Sequence, residues 1–204
     1  MRKALLSLVA ALSLVPAAPA AAAGGNYLFA GGTPYEQAQV TSALNASAFD
    51  WNLVPAQVTI HIARGLSTEA APAHVWLDAN LLDAGVFSWG TIQHEYAHQV
   101  DFFLLDDADR RLLLGLLGGA DWCYSAPNLA HSQYGCERFA STLAWSYWST
   151  SRNTMKPRSS KDESAAMDPA RFRNLLLSLI GAPNTVTPAV TAYAPKLKKA
   201  KTKK

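Results

Sequence analysis

Two histidines four residues apart, His94 and His98, stand inside the stretch Trp89-Gly-Thr-Ile-Gln-His-Glu-Tyr-Ala-His-Gln-Val-Asp101. That spacing puts both imidazoles on one side of a helix, about one turn apart, with Glu95 rotated beside them. The same helix carries Ile92, Ala97, Val100, Phe102 and Leu104, so it has to pack into a core. A face of imidazoles and a carboxylate is costly to bury there unless something binds to it. The pattern is HExxH, in which the two histidines converge on one Zn2+ and the glutamate holds a water. Any fold for this chain must bring a further ligand opposite that face.

A zinc site that does chemistry takes three protein ligands and keeps one position open. Glu137, His131 and Asp101 are the candidates for the third. Asp101 lies three residues beyond His98 on the same helix, and its short side chain is better placed one step back, accepting a hydrogen bond from a ligand imidazole or pairing nearby. His131 sits in surroundings that read as a loop, Pro127 to Gln133. Glu137 is favoured. It opens the helical string CERFASTLAWSYW, whose Ala140, Ser141 and Ala144 allow close helix approach, and a first-turn carboxylate suits the helix dipole. The aromatic set Phe139, Trp145, Tyr147 and Trp148 wraps most of that helix and reads as core packing.

The rest of the chain frames this element. With 204 residues, half of them hydrophobic, 16% charged and only 12 Gly and 11 Pro, it is neither disordered nor collagen-like, and one domain is expected. Residues 1–23 carry Arg2 and Lys3, an apolar run Ala4 to Val15 and a small-residue end at Ala20 to Ala23, the pattern of a secretory signal peptide. A secreted or extracytoplasmic location follows. Residues 24–181 are the expected domain, and 182–204 a Pro-containing linker with a Lys-rich tail. Six lysines fall between Lys196 and Lys204, while the body before them holds ten basic and 15 acidic residues, a formal charge near −5. The tail is therefore a separate cationic arm, suited to an anionic cell-envelope polymer or to solvation alone. Nothing points to a specific nucleic acid. Cys123 and Cys136, the chain's two cysteines, suggest one disulfide in an exported protein, and the absence of CxxC argues against a zinc ribbon or a thioredoxin-like site.

The predicted fold class is α+β and helix-dominated, with a small N-terminal sheet. Thr33-Pro34-Tyr35-Glu36 reads as a capping box opening a helix to about Asn45. Gln57 to Arg64 and His74 to Asp78 read as strands, the second as a sheet edge along which a peptide could lie. Ser88 is expected to cap the HExxH helix to about Leu105, Asp107 a helix to Gly118, and Asp168-Pro169 the last helix to Gly181. Another helix is expected over Tyr134 to Thr150. The segment from Gly24 to about Asn52 is open to reading as a cover over the cleft, removed by processing.

HEYAHQVD, followed after a helix-rich insert by Tyr134-Gly135 and then Glu137-Arg-Phe139-Ala140, resembles the gluzincin metallopeptidases, most closely the group of the anthrax lethal factor catalytic domain. The resemblance spans roughly Trp89 to Trp148 and the closing helix at Asp168 to Ile180. It implies a zincin-like fold, one Zn2+ held by His94, His98 and Glu137, Glu95 as general base, Tyr134 as the oxyanion tyrosine, and a peptide or protein substrate. Only two residues separate Tyr134 from Glu137, fewer than in the family pattern, which keeps His131 and Tyr124 open for the oxyanion role. An alternative from another class is a non-catalytic envelope-binding protein with a structural or vestigial zinc site and a basic anchoring tail. The disulfide would tie the loop carrying Tyr124 and His131 to the residue next to Glu137.

Overall fold

The computed structural model describes residues 24–181; the expected signal peptide, 1–23, and the Lys-rich tail, 182–204, lie outside the described residues. The architecture is α+β. Strand β1 (Tyr27–Gly31) is followed by helix α1 (Pro34–Ala46), strands β2 (Val58–Ala63), β3 (Glu69–Ala71) and β4 (His74–Asp78), then by helices α2 (Ala79–Leu82), α3 (Trp89–Leu104), α4 (Asp107–Leu117), α5 (Gly135–Tyr147) and α6 (Pro169–Ile180).

The strands form one sheet in the order β1-β2-β4-β3, with β1 and β4 both parallel to β2 and β3 antiparallel to β4. The alternation in β2 and β4 buries Val58, Ile60, Ile62, Val75 and Leu77 on one face. That face joins the core built by α1, α3, α5 and α6 around Leu44, Trp51, Tyr96, Phe139 and Phe172. The opposite face carries the more exposed His61, His74 and Trp76.

β4 is paired on both sides, by β2 and by β3, so it is not the sheet edge. The edge beside it is β3, a three-residue strand whose sequence, EAA, carries no alternation to announce it. The segment from Gly24 to Asn52 is likewise not a removable cover: it supplies β1 to the sheet and buries Val40, Ala43, Leu44, Phe49 and Trp51 in the core.

The caps follow the chemistry with two corrections. Thr33 and Glu36 form the expected capping box and Asp168 caps α6. Ser88 does not cap α3. Residues Gly85–Ser88 form a 3-10 turn that runs straight into the helix, and the Ser88 hydroxyl donates to the Gly85 carbonyl instead. The cap of α4 is Asp106, one residue before the expected Asp107, because Asp106 and Asp109 satisfy each other's backbone N–H groups.

Candidate metal centre

α3 is buried on nearly every side from Gly90 to Asp101, so each polar side chain on it needs a partner. Gln93 donates to the Ala43 carbonyl at 2.7 Å. Gln99 donates to the carbonyls of Ala71 and His74 at 3.0 and 3.1 Å and accepts from Ala73 N–H at 2.9 Å, clamping the β3–β4 turn to the helix. Asp101 accepts from Arg110 Nε at 2.8 Å and from Trp122 Nε1 at 3.2 Å, so its hydrogen bonds go to α4 and the following loop and not to either histidine. These anchors fix the rotation of α3, and with it the direction in which His94, Glu95 and His98 point.

They point at α5. Ala140, Ser141 and Ala144 are all buried there, and these small side chains bring α5 close enough for Glu137 to enter the cluster. Glu137 Oε2 lies 3.0 Å from His94 Nε2, 3.4 Å from His98 Nε2 and 3.1 Å from His131 Nε2. A tetrahedral zinc with bonds of about 2.0–2.1 Å holds its ligand atoms roughly 3.3 Å apart. The distances from Glu137 to the three imidazoles are close to that spacing, and imidazole nitrogens gathered around one buried carboxylate oxygen are a donor set that fits zinc.

His131 occupies a 3-10 turn, His131–Gln133, and remains more than half exposed, whereas Glu137 is 4% exposed. Its other nitrogen, Nδ1, lies 2.7 Å from Glu163 Oε1, and the second oxygen of Glu163 accepts from the Ser141 hydroxyl at 2.8 Å. Ser141 Oγ is in turn 3.0 Å from His94 Nδ1. One carboxylate thus steadies two imidazoles, one directly and one through a serine. The Glu163 role is absent from the sequence reading; the residue sits in the polar run Lys161-Asp-Glu-Ser164, which has no periodicity to mark it.

The two tyrosines are placed differently. Tyr134 is 4% exposed and its hydroxyl donates to the Ala126 carbonyl at 2.8 Å, so it is not directed at the cluster. Tyr124 packs against it at a tilt, with ring centroids 4.2 Å apart, and donates to Glu137 Oε1 at 2.8 Å. Tyr124 has a left-handed backbone, φ 56°, which turns its side chain back over α5. Cys123 and Cys136 form the expected disulfide, with Cα atoms 5.5 Å apart, tying the residue before Tyr124 to the residue before Glu137. Backbone bonds from Gly135 and Cys136 to the carbonyls of Asp121 and Trp122 reinforce the same junction.

The electrostatics follow from these contacts. Burial alone would raise the Glu137 pKa, but hydrogen bonds from His131, His94 and His98 outweigh it and hold the carboxyl well below the usual range. His131, hydrogen-bonded to Glu137 and Glu163, is pushed up to about 10. Glu95, 8% exposed, is raised by burial to about 7. Burial and the neighbouring Glu137 push the Tyr124 phenol up. A buried carboxyl that titrates near neutrality beside a cluster of imidazoles is the kind of group able to exchange protons at ordinary pH.

Set against family models, curated proteins and solved structures, the chain matches none of them.

Proposed function

We propose that this protein is an exported zinc metallopeptidase of the zincin-like, gluzincin type. His94, His98 and Glu137 would hold one Zn2+ per chain, and Glu95 would act as general base. The observation that carries this reading is the convergence of His94 and His98 on Glu137 Oε2 at 3.0 and 3.4 Å, with Glu95 beside them and without a hydrogen-bond partner among the described residues.

When bound, a zinc ion supplies positive charge that polarises a peptide carbonyl and makes water acidic enough to lose a proton near neutral pH. Glu95 takes that proton as attack occurs and delivers it to the leaving amine. Tyr124 and His131, both on the open side of the cluster and both bonded to Glu137 before substrate enters, would turn their O–H and N–H to the oxyanion that develops on the former carbonyl. Glu163 and Glu137 together favour the doubly protonated His131 ring, so that Nδ1 stays on Glu163 while Nε2 carries a proton it can donate. Extended substrate would add along the outer edge of β3, which Gln99 couples to the HExxH helix.

Export is consistent with the disulfide, and among the described residues no helix is long and apolar enough to cross a membrane. X-ray absorption of the zinc-loaded protein tests the metal assignment. One zinc per chain with nitrogen and oxygen ligands, lost in His94→Ala and Glu137→Ala, is expected. A sulfur-rich first shell, or binding that survives both substitutions, would rule the assignment out.

A further inference from the structure

Beside the cluster lies a cavity of about 370 Å³ whose walls include Ser132, Ser141, Lys156, Arg158, Lys161 and Glu163. Its inner wall is shared with the proposed metal site, since Ser141 Oγ is 3.0 Å from His94 Nδ1 and Glu163 Oε1 is 2.7 Å from His131 Nδ1. Its outer wall is cationic. Four of the ten basic residues in the body, Arg152, Lys156, Arg158 and Lys161, fall within ten positions, although the body as a whole is acidic. Among the described residues, the side chains of Lys156, Arg158 and Lys161 make no hydrogen bond or ion pair with any carboxylate.

The neighbouring acids offset this wall only in part: three cations line it against two carboxylates, Asp162 and Glu163, and both carboxylates are held by local hydrogen bonds. Glu163 is engaged by His131 and Ser141. Asp162 accepts from the backbone N–H groups of Arg158 and Ser159 and from the Ser159 hydroxyl, closing the turn that presents Arg158 and Lys161. The segment is also anchored. Buried Asn153 donates to the carbonyls of Ala144 and Trp148 at 2.9 Å each, and Met155 N–H returns to its side-chain oxygen at 2.8 Å. Gly90 admits this packing: a Cβ there would collide with the Asn153 side chain and lie 3.0 Å from Thr154 N. The backbone that carries the cations is therefore packed on α3 and α5, one wall away from the imidazoles of His94 and His131.

We infer that this cavity is a subsite for a carboxylate of the substrate, so that the protein selects peptides bearing an acidic side chain or a free C-terminal carboxylate close to the cleaved bond. The inference deepens the metallopeptidase reading and rests on it for the nature of the substrate. A rigid guanidinium flanked by two ammonium groups recognises a carboxylate by bidentate and point-charge contacts, and the local positive field counters the repulsion an acidic body exerts on an acidic peptide.

The test uses the full-length, zinc-loaded Glu95→Gln protein and fluorescence anisotropy of labelled decapeptides. One glutamate is walked through an otherwise uncharged glutamine-containing sequence, and each peptide is made with a free and an amidated C-terminus. The expected result is binding about tenfold tighter for the glutamate peptide at one or two positions, or for the free over the amidated terminus, which identifies the source of the carboxylate. The preference should vanish in a Lys156→Ala, Arg158→Ala, Lys161→Ala combination and reverse in Lys161→Glu. These side chains are exposed and unpaired, so the fold should persist, and the Lys-rich tail is common to every variant and cancels. Equal affinity for acidic and neutral peptides, a preference untouched by the substitutions, or no peptide binding would overturn the subsite. Charge-selective binding without cleavage by the wild type would leave the carboxylate subsite standing and remove the peptidase reading.

Discussion

Glu163 Oε1 stands 2.7 Å from His131 Nδ1, joining a 3-10 turn before α5 to one that follows it 32 residues later. Through Ser141 the same carboxylate reaches His94, so one residue outside the HExxH helix governs the orientation of two imidazoles. Such partners set which nitrogen carries the proton and how basic the other becomes.

Glu163→Gln is therefore expected to lower zinc affinity by about 10- to 100-fold while leaving the far-ultraviolet spectrum unchanged. Chelator competition measures it, and Co2+ substitution gives a second readout, because a reoriented His94 alters the ligand-field bands. Unchanged affinity and spectrum would show that the Glu163 contact is only structural.

Tyr124→Phe and Tyr134→Phe should separate. Removing the Tyr124 hydroxyl is expected to lower kcat by about 100- to 1,000-fold with zinc retained. Removing the Tyr134 hydroxyl leaves the Ala126 carbonyl short of a partner and should cost about 1 kcal/mol of stability with kcat little altered. Peptide hydrolysis and thermal unfolding of both variants check the assignment; the opposite pattern would restore the oxyanion role to Tyr134.

The metal-free protein should lose stability as pH rises from about 5 towards 10. His131 has a folded pKa of about 10 against 6.5 for the free group, so its stabilisation is complete below 6.5 and disappears as pH climbs through 10. Glu95, raised from 4.5 to about 7, acts with the same sign: it favours the folded state below 4.5, and that advantage is lost on ionisation through 7. Glu137 is held low and works oppositely, its contribution being lost as pH falls below about 4.5. Metal ligation favours deprotonated groups, so the rise in Tm on adding zinc should grow from pH 5 to pH 8. Differential scanning fluorimetry of metal-free and zinc-loaded protein across that range checks both trends.

Much of the site was legible because its parts obey short-range rules. The His94–His98 spacing needs only helical geometry, the Thr33–Glu36 box is a local pattern, and two cysteines leave a single intramolecular pairing. Glu137 was legible because small residues follow it at helical spacing. The features that carry no local signal depend on partners distant in sequence. β3 is three residues of Glu and Ala that become a strand only because β4 offers it hydrogen bonds. β1 lies among glycines and is held by β2. Tyr124 and Tyr134 are indistinguishable by type, and only the left-handed turn at Tyr124 and the carbonyl of Ala126 decide which phenol meets the carboxylate.

Gly90→Ala probes the packing that holds the 153–163 segment on α3. The added methyl meets Asn153 and the Thr154 backbone, and overpacking of this kind costs about 1–3 kcal/mol. Because that segment carries Glu163, zinc affinity should fall along with stability. A destabilised variant with unaltered zinc affinity would show that the segment and the metal cluster are independent.

The most direct measurement is cleavage of a diverse peptide library by the mature, zinc-loaded protein beside its Glu95→Gln variant, read by mass spectrometry. The account predicts cuts by the wild type that fall by about 100- to 10,000-fold in the variant, with zinc retained in both. A zinc-loaded wild type that cuts nothing, or a Glu95→Gln protein that cuts equally well, would contradict it.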